Sequence, residues 1–306
     1  MWAGAGSRLD LVEVEAQAHQ ADPTLVACDV QPSSHEDRMM GNPVIKAVTM
    51  DLWGTLLLDS PAADERYRRE RLVRIAEVLA ERGIEVPIPA LARGYEESRR
   101  QLVKIWREMR DVPVERHVAL LLHAVDAALP GRLDADALAA VTWAYSSPAL
   151  DAPPPLDPGA ASALKELNER GIPICLVSNT LRTPGTVLRR ILKNEGMLDA
   201  FTSMVFSDEC GMRKPAAGIF RQALRLLRVA AQNAVHVGDD ARLDVEGARL
   251  ANMRVIHLGG GHAGDDMPDA SIQGLSELPA AVDWLDSAWE SRDAEPAFLA
   301  GPAARR

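Results

Sequence analysis

The chain has 306 residues, 47% of them hydrophobic and 25% charged, and a formal net charge of −10. Such a length allows a sizeable core, or a core with an inserted module, and such a composition is that of a soluble globular protein. The acidic balance gives no general electrostatic support to a nucleic-acid partner, no apolar stretch is long enough to span a membrane, and Cys28, Cys175 and Cys210 form neither a disulfide framework nor a metal spacing. Asp10, Glu13 and Glu15 stand where a signal peptide would be apolar, so a reducing, cytoplasmic location is expected.

Residues 1–42 hold no sustained period and read as a disordered extension, with Met39 or Met40 as an alternative start and a short helix around 9–19. Residues 44–50 are mostly apolar and β-branched, a buried strand that breaks at Gly54. The break leaves Asp51 at the strand's carboxyl end, where ligands sit in open α/β sheets. Between residues 62 and 146 the pattern turns helical: 71–80 stopped by Gly83, 90–110, 114–129, and 134–145 after Pro130-Gly131. Four helices without an intervening strand imply a small bundle apart from the sheet. Arg66, Arg68, Arg69, Arg71 and Arg74 are interleaved with acids and read as a solvated face.

The Pro-rich stretch 151–155 is a stiff return linker. After it, helices at 160–170, 186–194, 216–227 and 245–251 alternate with strands at 172–177, 203–206, 234–237 and 253–258. Strict alternation implies a doubly wound, parallel, Rossmann-like sheet. Gly259-Gly260-Gly261 reads as a flexible connection, and the chain after Trp289 as a frayed tail. The expected division is an extension at 1–42, an α/β core from 43–59 and 156–285, an α-helical insertion at 60–155, and a flexible tail at 286–306.

Four polar features fall after strands or beside them: Asp51, Ser178-Asn179, Arg213-Lys214-Pro215, and Gly238-Asp239-Asp240 with Asp244. Three of them directly follow apolar strands and should project from one sheet edge. A carboxylate nucleophile, a hydroxyl or amide donor, a lysine and further acids together suit phosphoryl chemistry. The acids would hold Mg²⁺, which favours oxygen ligands. Lys214 and Ser178 would neutralise and orient phosphoryl oxygens, and Asp51 could attack phosphorus.

In the order Asp51-Leu52-Trp53-Gly54-Thr55-Leu56, Ser178-Asn179, Lys214-Pro215 and Gly238 to Ala248, these motifs resemble the haloacid dehalogenase-like hydrolase superfamily. The resemblance covers roughly residues 44–285, including a helical insertion where that family carries its α-helical cap. The segment 268–279 is similar to the family's closing stretch. The resemblance implies that Asp51 is nucleophile and metal ligand, with the Trp53 main-chain carbonyl a second ligand. It implies that Thr55 contacts the transferring group, that Ser178 and Lys214 bind its oxygens, and that Asn179 and Trp53 meet the substrate. Asp239 would complete the metal site, Asp244 would be a supporting carboxylate there, and Asp240 would be a solvent-facing loop acid.

One position departs from the pattern. Phosphatases of this family place an aspartate two residues after the nucleophile, where it protonates the leaving oxygen; here stands Trp53. Either the substrate has a good leaving group, or an insertion residue such as His117 or His123 supplies the acid, or the reaction is that of a haloacid dehalogenase. Dehalogenases carry an aromatic residue at this position, but a Ser- and Asn-containing fourth motif instead of the acidic one found here. Without a metal, acids crowding Asp51 would raise its pKa and blunt it as a nucleophile. A Mg²⁺-dependent phosphatase of a small phosphorylated metabolite is the leading expectation. A dehalogenase and a weakly catalytic phosphometabolite-binding protein are the alternatives. Tyr67, Arg99, Arg100, Trp106 and Arg107 are candidates to face the substrate from the insertion.

Overall fold

Ala47–Met50 form β1, every residue of it buried. A strand covered on both faces needs apolar side chains throughout, which is why this run shows no alternation. The computed structural model describes residues 45–259 and 267–288. The expected extension, its alternative start, most of the Gly259–Gly261 connection and the chain beyond Ala288 lie outside them.

Five strands join β1: β2 (Ile174–Ser178), β3 (Ser203–Phe206), β4 (Ala234–Gly238), β5 (Arg254–Leu258) and β6 (Ala270–Ile272). All neighbours are parallel, in the order β3-β2-β1-β4-β5-β6. The chain therefore winds from β1 to one side and then crosses to the other, which places the switch between β1 and β4. Met50 is level with Leu176 on β2 and Val237 on β4, so the carboxyl ends of all three strands meet. Ligands bind in the crevice outside such a point.

The period-2 geometry of the strands sends alternate residues to two cores. Val48, Met50 and Leu176 pack with α6 (Ala160–Glu169), α7 (Gly185–Asn194) and α11 (Leu278–Ala288). Ala47, Cys175 and Val177 pack on the other face, with α9 (Ala217–Leu227) and α10 (Gly247–Leu250). Between β3 and α9 lies a single turn, α8 (Ser207–Cys210).

The helical insertion has a third core. It comprises α1 (Pro61–Ala80), α2 (Ile88–Arg107), α3 (Val114–Val125) and α4 (Ala135–Ser146), followed by a short α5 (Pro148–Asp151). Leu72, Ile75, Leu79, Leu91, Leu121, Val141 and Tyr145 fill the space between them. Entry and exit lie side by side: the Leu58 N–H donates to the Pro155 carbonyl (2.8 Å) and the Asp157 N–H to the Leu56 carbonyl (2.9 Å).

Several boundaries differ from expectation for identifiable reasons. Helix α1 starts at Pro61, not 71, because Ser60 accepts the Ala63 N–H at its cap and Pro61 has a φ already suited to the first turn. Helix α2 stops at Arg107 rather than 110, and Met109 turns left-handed at φ 57°. Helix α3 ends at Val125, where Asp126 takes an extended conformation and accepts the Ala128 N–H. The expected helix at 245–251 is a π-helical turn (Ala241–Glu246) running into α10. Strand β6 is too short to reveal itself by alternation. Helix α11 crosses the expected tail boundary at 285, and its Asp286 accepts the Ile45 N–H at 2.6 Å.

Candidate active site

Asp51 is the first residue beyond β1, and its N–H continues the ladder by donating to the Val237 carbonyl at 2.9 Å. Its side chain is buried and accepts a hydrogen bond from Lys214 Nζ. The same ammonium donates to Asp244 Oδ1 at 2.6 Å, so one lysine bridges two carboxylates. Burial works against the Lys214 charge, yet Asp244 and Asp51 hold its pKa above the ordinary lysine value.

Two glycines make this packing attainable. Gly54 sits at φ +79°, and a Cβ there would lie 2.3 Å from Asp239 Oδ2. At Gly238 a Cβ would lie 2.3 Å from Asp244 Cγ. The loop after β1 and the turn after β4 therefore approach the acids as bare backbone. Asp240 caps the π-helical turn: its Oδ1 accepts the N–H groups of Arg242 and Leu243, both at 2.8 Å. That turn folds Asp244 back under β4, where its Oδ2 accepts the Asp240 N–H at 3.1 Å.

Thr55, fully buried, donates its hydroxyl to Asp239 Oδ1 at 3.2 Å. Ser178 closes β2, and its buried hydroxyl has no hydrogen-bond partner. A buried polar atom without a partner at a strand end is well placed to meet a ligand. Asn179, expected to contact the substrate, has its side-chain amide engaged with the main chain of Lys214. Its Oδ1 accepts the Lys214 N–H (2.9 Å) and its Nδ2 donates to the Lys214 carbonyl (3.1 Å), which fixes the segment carrying the lysine. Trp53 is half-buried against the core beneath the sheet edge, with its indole N–H buried and unpartnered.

The structure thus brings two bonded sets together, Asp51–Lys214–Asp244 and Thr55–Asp239. Burial pushes the Asp51 carboxyl up to about 8, Lys214 opposes the shift, and Asp244 adds to it. Burial would also raise Asp244, but Lys214 and a hydrogen bond from His236 hold it well below the usual carboxylate range. Carboxylate oxygens of Asp51, Asp239 and Asp244 lie within 4.8 Å of one another. Three hard oxygen donors against one lysine make a set that fits Mg²⁺.

Sequence reasoning missed the support beneath these acids. The His236 Nε2 lies 3.0 Å from Asp244 Oδ1, and its Nδ1 lies 2.8 Å from Thr49 Oγ1, all of it buried. Burial depresses the histidine pKa, against the pull of Asp244. The signal was present: a histidine inside the apolar run Ala-Val-His-Val.

The residues expected to face substrate from the insertion are engaged elsewhere. Tyr67 donates to the Ala152 carbonyl, Arg99 and Arg100 pair with Glu96 and Glu97, Trp106 donates to Asp111, and Arg107 is exposed. His123 is exposed, whereas His117 is buried with both ring nitrogens unpartnered.

A doubly wound parallel sheet with carboxylates, a lysine and a hydroxyl at its switch point is the arrangement of a Rossmann-like α/β enzyme. The chain belongs to the haloacid dehalogenase-like hydrolases, matching that family over residues 45–252. It is 30% identical over 247 residues to a glyceraldehyde 3-phosphate phosphatase of Methanopyrus kandleri, covering 77% of this chain and 96% of that protein. A phosphoserine phosphatase of Thermus thermophilus is 36% identical over 127 residues, but the match spans only 50% of its length and 40% of this chain. Among solved structures, a 2-haloacid dehalogenase from Pseudomonas syringae pv. tomato superposes with a TM-score of 0.59 at 25% identity, covering 79% of this chain and all of that one. Among the described residues no helix is long and apolar enough to cross a membrane.

Proposed function

We propose that this chain is a Mg²⁺-dependent phosphatase acting on a small phosphorylated molecule through an aspartyl-phosphate at Asp51. The observation that carries the reading is the bridge from Asp51 through Lys214 to Asp244, with Asp239 completing a three-carboxylate cluster. A dehalogenase needs no such concentration of acids. The phosphatase names of relatives point the same way.

In this mechanism an Asp51 oxygen attacks phosphorus while the bond to the leaving oxygen breaks, forming a carboxyl-phosphate anhydride. Lys214 and the unpartnered Ser178 hydroxyl receive the phosphoryl oxygens. Thr55 holds Asp239, and Asn179 holds the backbone of Lys214. Water then attacks phosphorus, the anhydride P–O bond breaks, and Asp51 and inorganic phosphate are regenerated. Asp51, Asp239, Asp244 and the Trp53 carbonyl would hold Mg²⁺, which would supply positive charge against the phosphoryl oxygens. With Trp53 in place of an acid, leaving groups that depart without protonation are preferred. The free Cys175 and Cys210 suit a reducing, cytoplasmic setting.

Inorganic phosphate release from a panel of phosphorylated metabolites, with Mg²⁺ and with chelator, tests the reading. Release that needs Mg²⁺ and falls by roughly 10⁴-fold or more in Asp51→Asn is expected. No release from any compound, activated aryl and acyl phosphates included, would sink it. The second reading, dehalogenation, draws on Trp53 and the Pseudomonas structure, and would show as halide release from 2-haloacids.

A further inference from the structure

Arg71 lies on the inner stripe of α1, is 4% exposed, and makes one hydrogen bond, from Nε to the Tyr145 carbonyl at 2.6 Å. Arg182, half-buried in the loop after β2, lies over the Tyr95 ring at 4.9 Å. Among the described residues no carboxylate comes within 4.0 Å of either guanidinium. Proteins bury guanidinium groups in ion pairs, so two uncompensated ones beside each other call for an anion.

Two more groups close the same space. His117 on α3 is 2% exposed and its ring nitrogens make no hydrogen bond, Asp111 Oδ1 standing 3.9 Å from Nε2. The Tyr145 hydroxyl on α4 is buried beside the Arg182 guanidinium. Their rings meet edge to face at 6.2 Å. Arg71 lies over the Tyr145 ring at 5.6 Å. Arg213, the third guanidinium acting on His117, is already matched by Asp111 at 2.5 Å. The remaining acid in range of Arg182, Glu96, is paired with Arg99 and Arg68. Arg182 lies in the loop that follows Ser178, the last residue of β2, four residues on and so at most about 14 Å away along the chain.

We propose that Arg71, Arg182, His117 and Tyr145 form a second anion subsite, facing the Ser178 loop, that takes a carboxylate or phosphate carried by the leaving group. Resting on the phosphatase reading, this makes the preferred substrate a phosphomonoester with a second acidic group. Arginine is suited to the task, since its planar fork meets a carboxylate or phosphate with two parallel hydrogen bonds.

The test uses alkyl phosphates of equal length ending in a carboxylate, a second phosphate or a methyl group. The full-length protein should favour the acidic probes over the methyl-ended one in kcat/KM, and whichever acid leads identifies the group recognised. Arg71→Gln and Arg182→Gln should each reduce that preference by about 30-fold or more. Should the buried Arg71 variant fold poorly, Arg182→Gln reads the same quantity from a more accessible position. Equal kcat/KM on all three probes, or a preference unchanged in Arg182→Gln, overturns the subsite. Calorimetric binding of the probes to Asp51→Asn separates the two readings. If neither the probes nor activated aryl and acyl phosphates release phosphate, but acidic probes bind and Arg182→Gln abolishes that binding, the subsite stands and the phosphatase falls. Phosphate release without discrimination overturns the subsite and leaves the phosphatase standing.

Discussion

Asp111, in the loop between α2 and α3, and Arg213, the neighbour of Lys214, form a buried ion pair at 2.5 Å. Asp111 also accepts from Ser207 Oγ (2.5 Å), Trp106 Nε1 (2.9 Å) and the Val112 N–H (2.9 Å), so its carboxylate is fully occupied. The main chains join there as well: the Asp111 N–H donates to Gly211 and the Arg213 N–H to Met109, both at 3.0 Å. The helical insertion is thereby fastened to the segment that presents the lysine. Removing one partner of such a pair leaves the other charged and stranded. Asp111→Ala should lower unfolding free energy by about 3–5 kcal/mol in urea titration. Adding Arg213→Met to it should cost much less than the two separate losses summed; simple additivity would show that the pair is not coupled.

His117 predicts a dependence on acidity. Burial lowers its pKa from 6.5 to about 4, helped by Arg182, Arg213 and Arg71 and opposed by Asp111. Between those values the unfolded chain binds a proton that the folded one refuses. The stability contribution is therefore complete above pH 6.5 and is lost as pH falls towards 4, on the order of 1–3 kcal/mol in all. Unfolding curves at pH 7 and pH 4.5 should show a smaller acid loss in His117→Phe than in the parent chain. Parallel losses would place the titration elsewhere.

Gly54→Ala combines an unfavourable left-handed φ with a clash against Asp239. The backbone strain alone is worth roughly 1–2 kcal/mol. Displacing Asp239 should weaken Mg²⁺ more than it weakens the fold. The midpoint of Mg²⁺ activation should rise about tenfold or more, against a modest fall in Tm. An unchanged midpoint would mean that Asp239 does not contribute to cation binding.

Trp53 predicts leaving-group dependence. Aryl phosphates should outrun alkyl phosphates strongly, because nothing at this position protonates the departing oxygen. Trp53→Asp should narrow that ratio by roughly 10²-fold by restoring a general acid. A ratio that stays put would locate the proton donor on another residue.

The sheet and its acids were legible because their signals are local. An apolar run that breaks into polar residues announces a strand end, and three such breaks, after β1, β2 and β4, announce an edge. What escaped depends on partners distant in sequence. Asp111 reads as an ordinary loop acid until Arg213, 102 residues on, is brought to it. That Asn179 fixes the main chain of Lys214, 35 residues on, is likewise invisible until the fold brings the two together. Arg71 shows the limit most clearly. The solvated-face reading holds for Arg68 and Arg74, which pair at the surface with Glu65, Glu70, Glu96 and Asp151. It fails for Arg71, which shares a stripe with Tyr67, Ile75 and Leu79, every fourth residue facing inward. Charge composition says nothing about which face of a helix looks inward.

The adjacent crossings at Leu56–Leu58 and Pro155–Asp157 carry a consequence for how this chain tolerates change. An element spliced in at one point of a scaffold leaves the scaffold's own ends undisturbed, and lengthening it adds only a slowly growing closure entropy. Helices away from the Asp111–Arg213 fastening can be added or altered between the two crossings without shifting the register of β1 against β2 or β4. Selection can therefore revise what the chain recognises while the carboxylates that do the chemistry stay where they are.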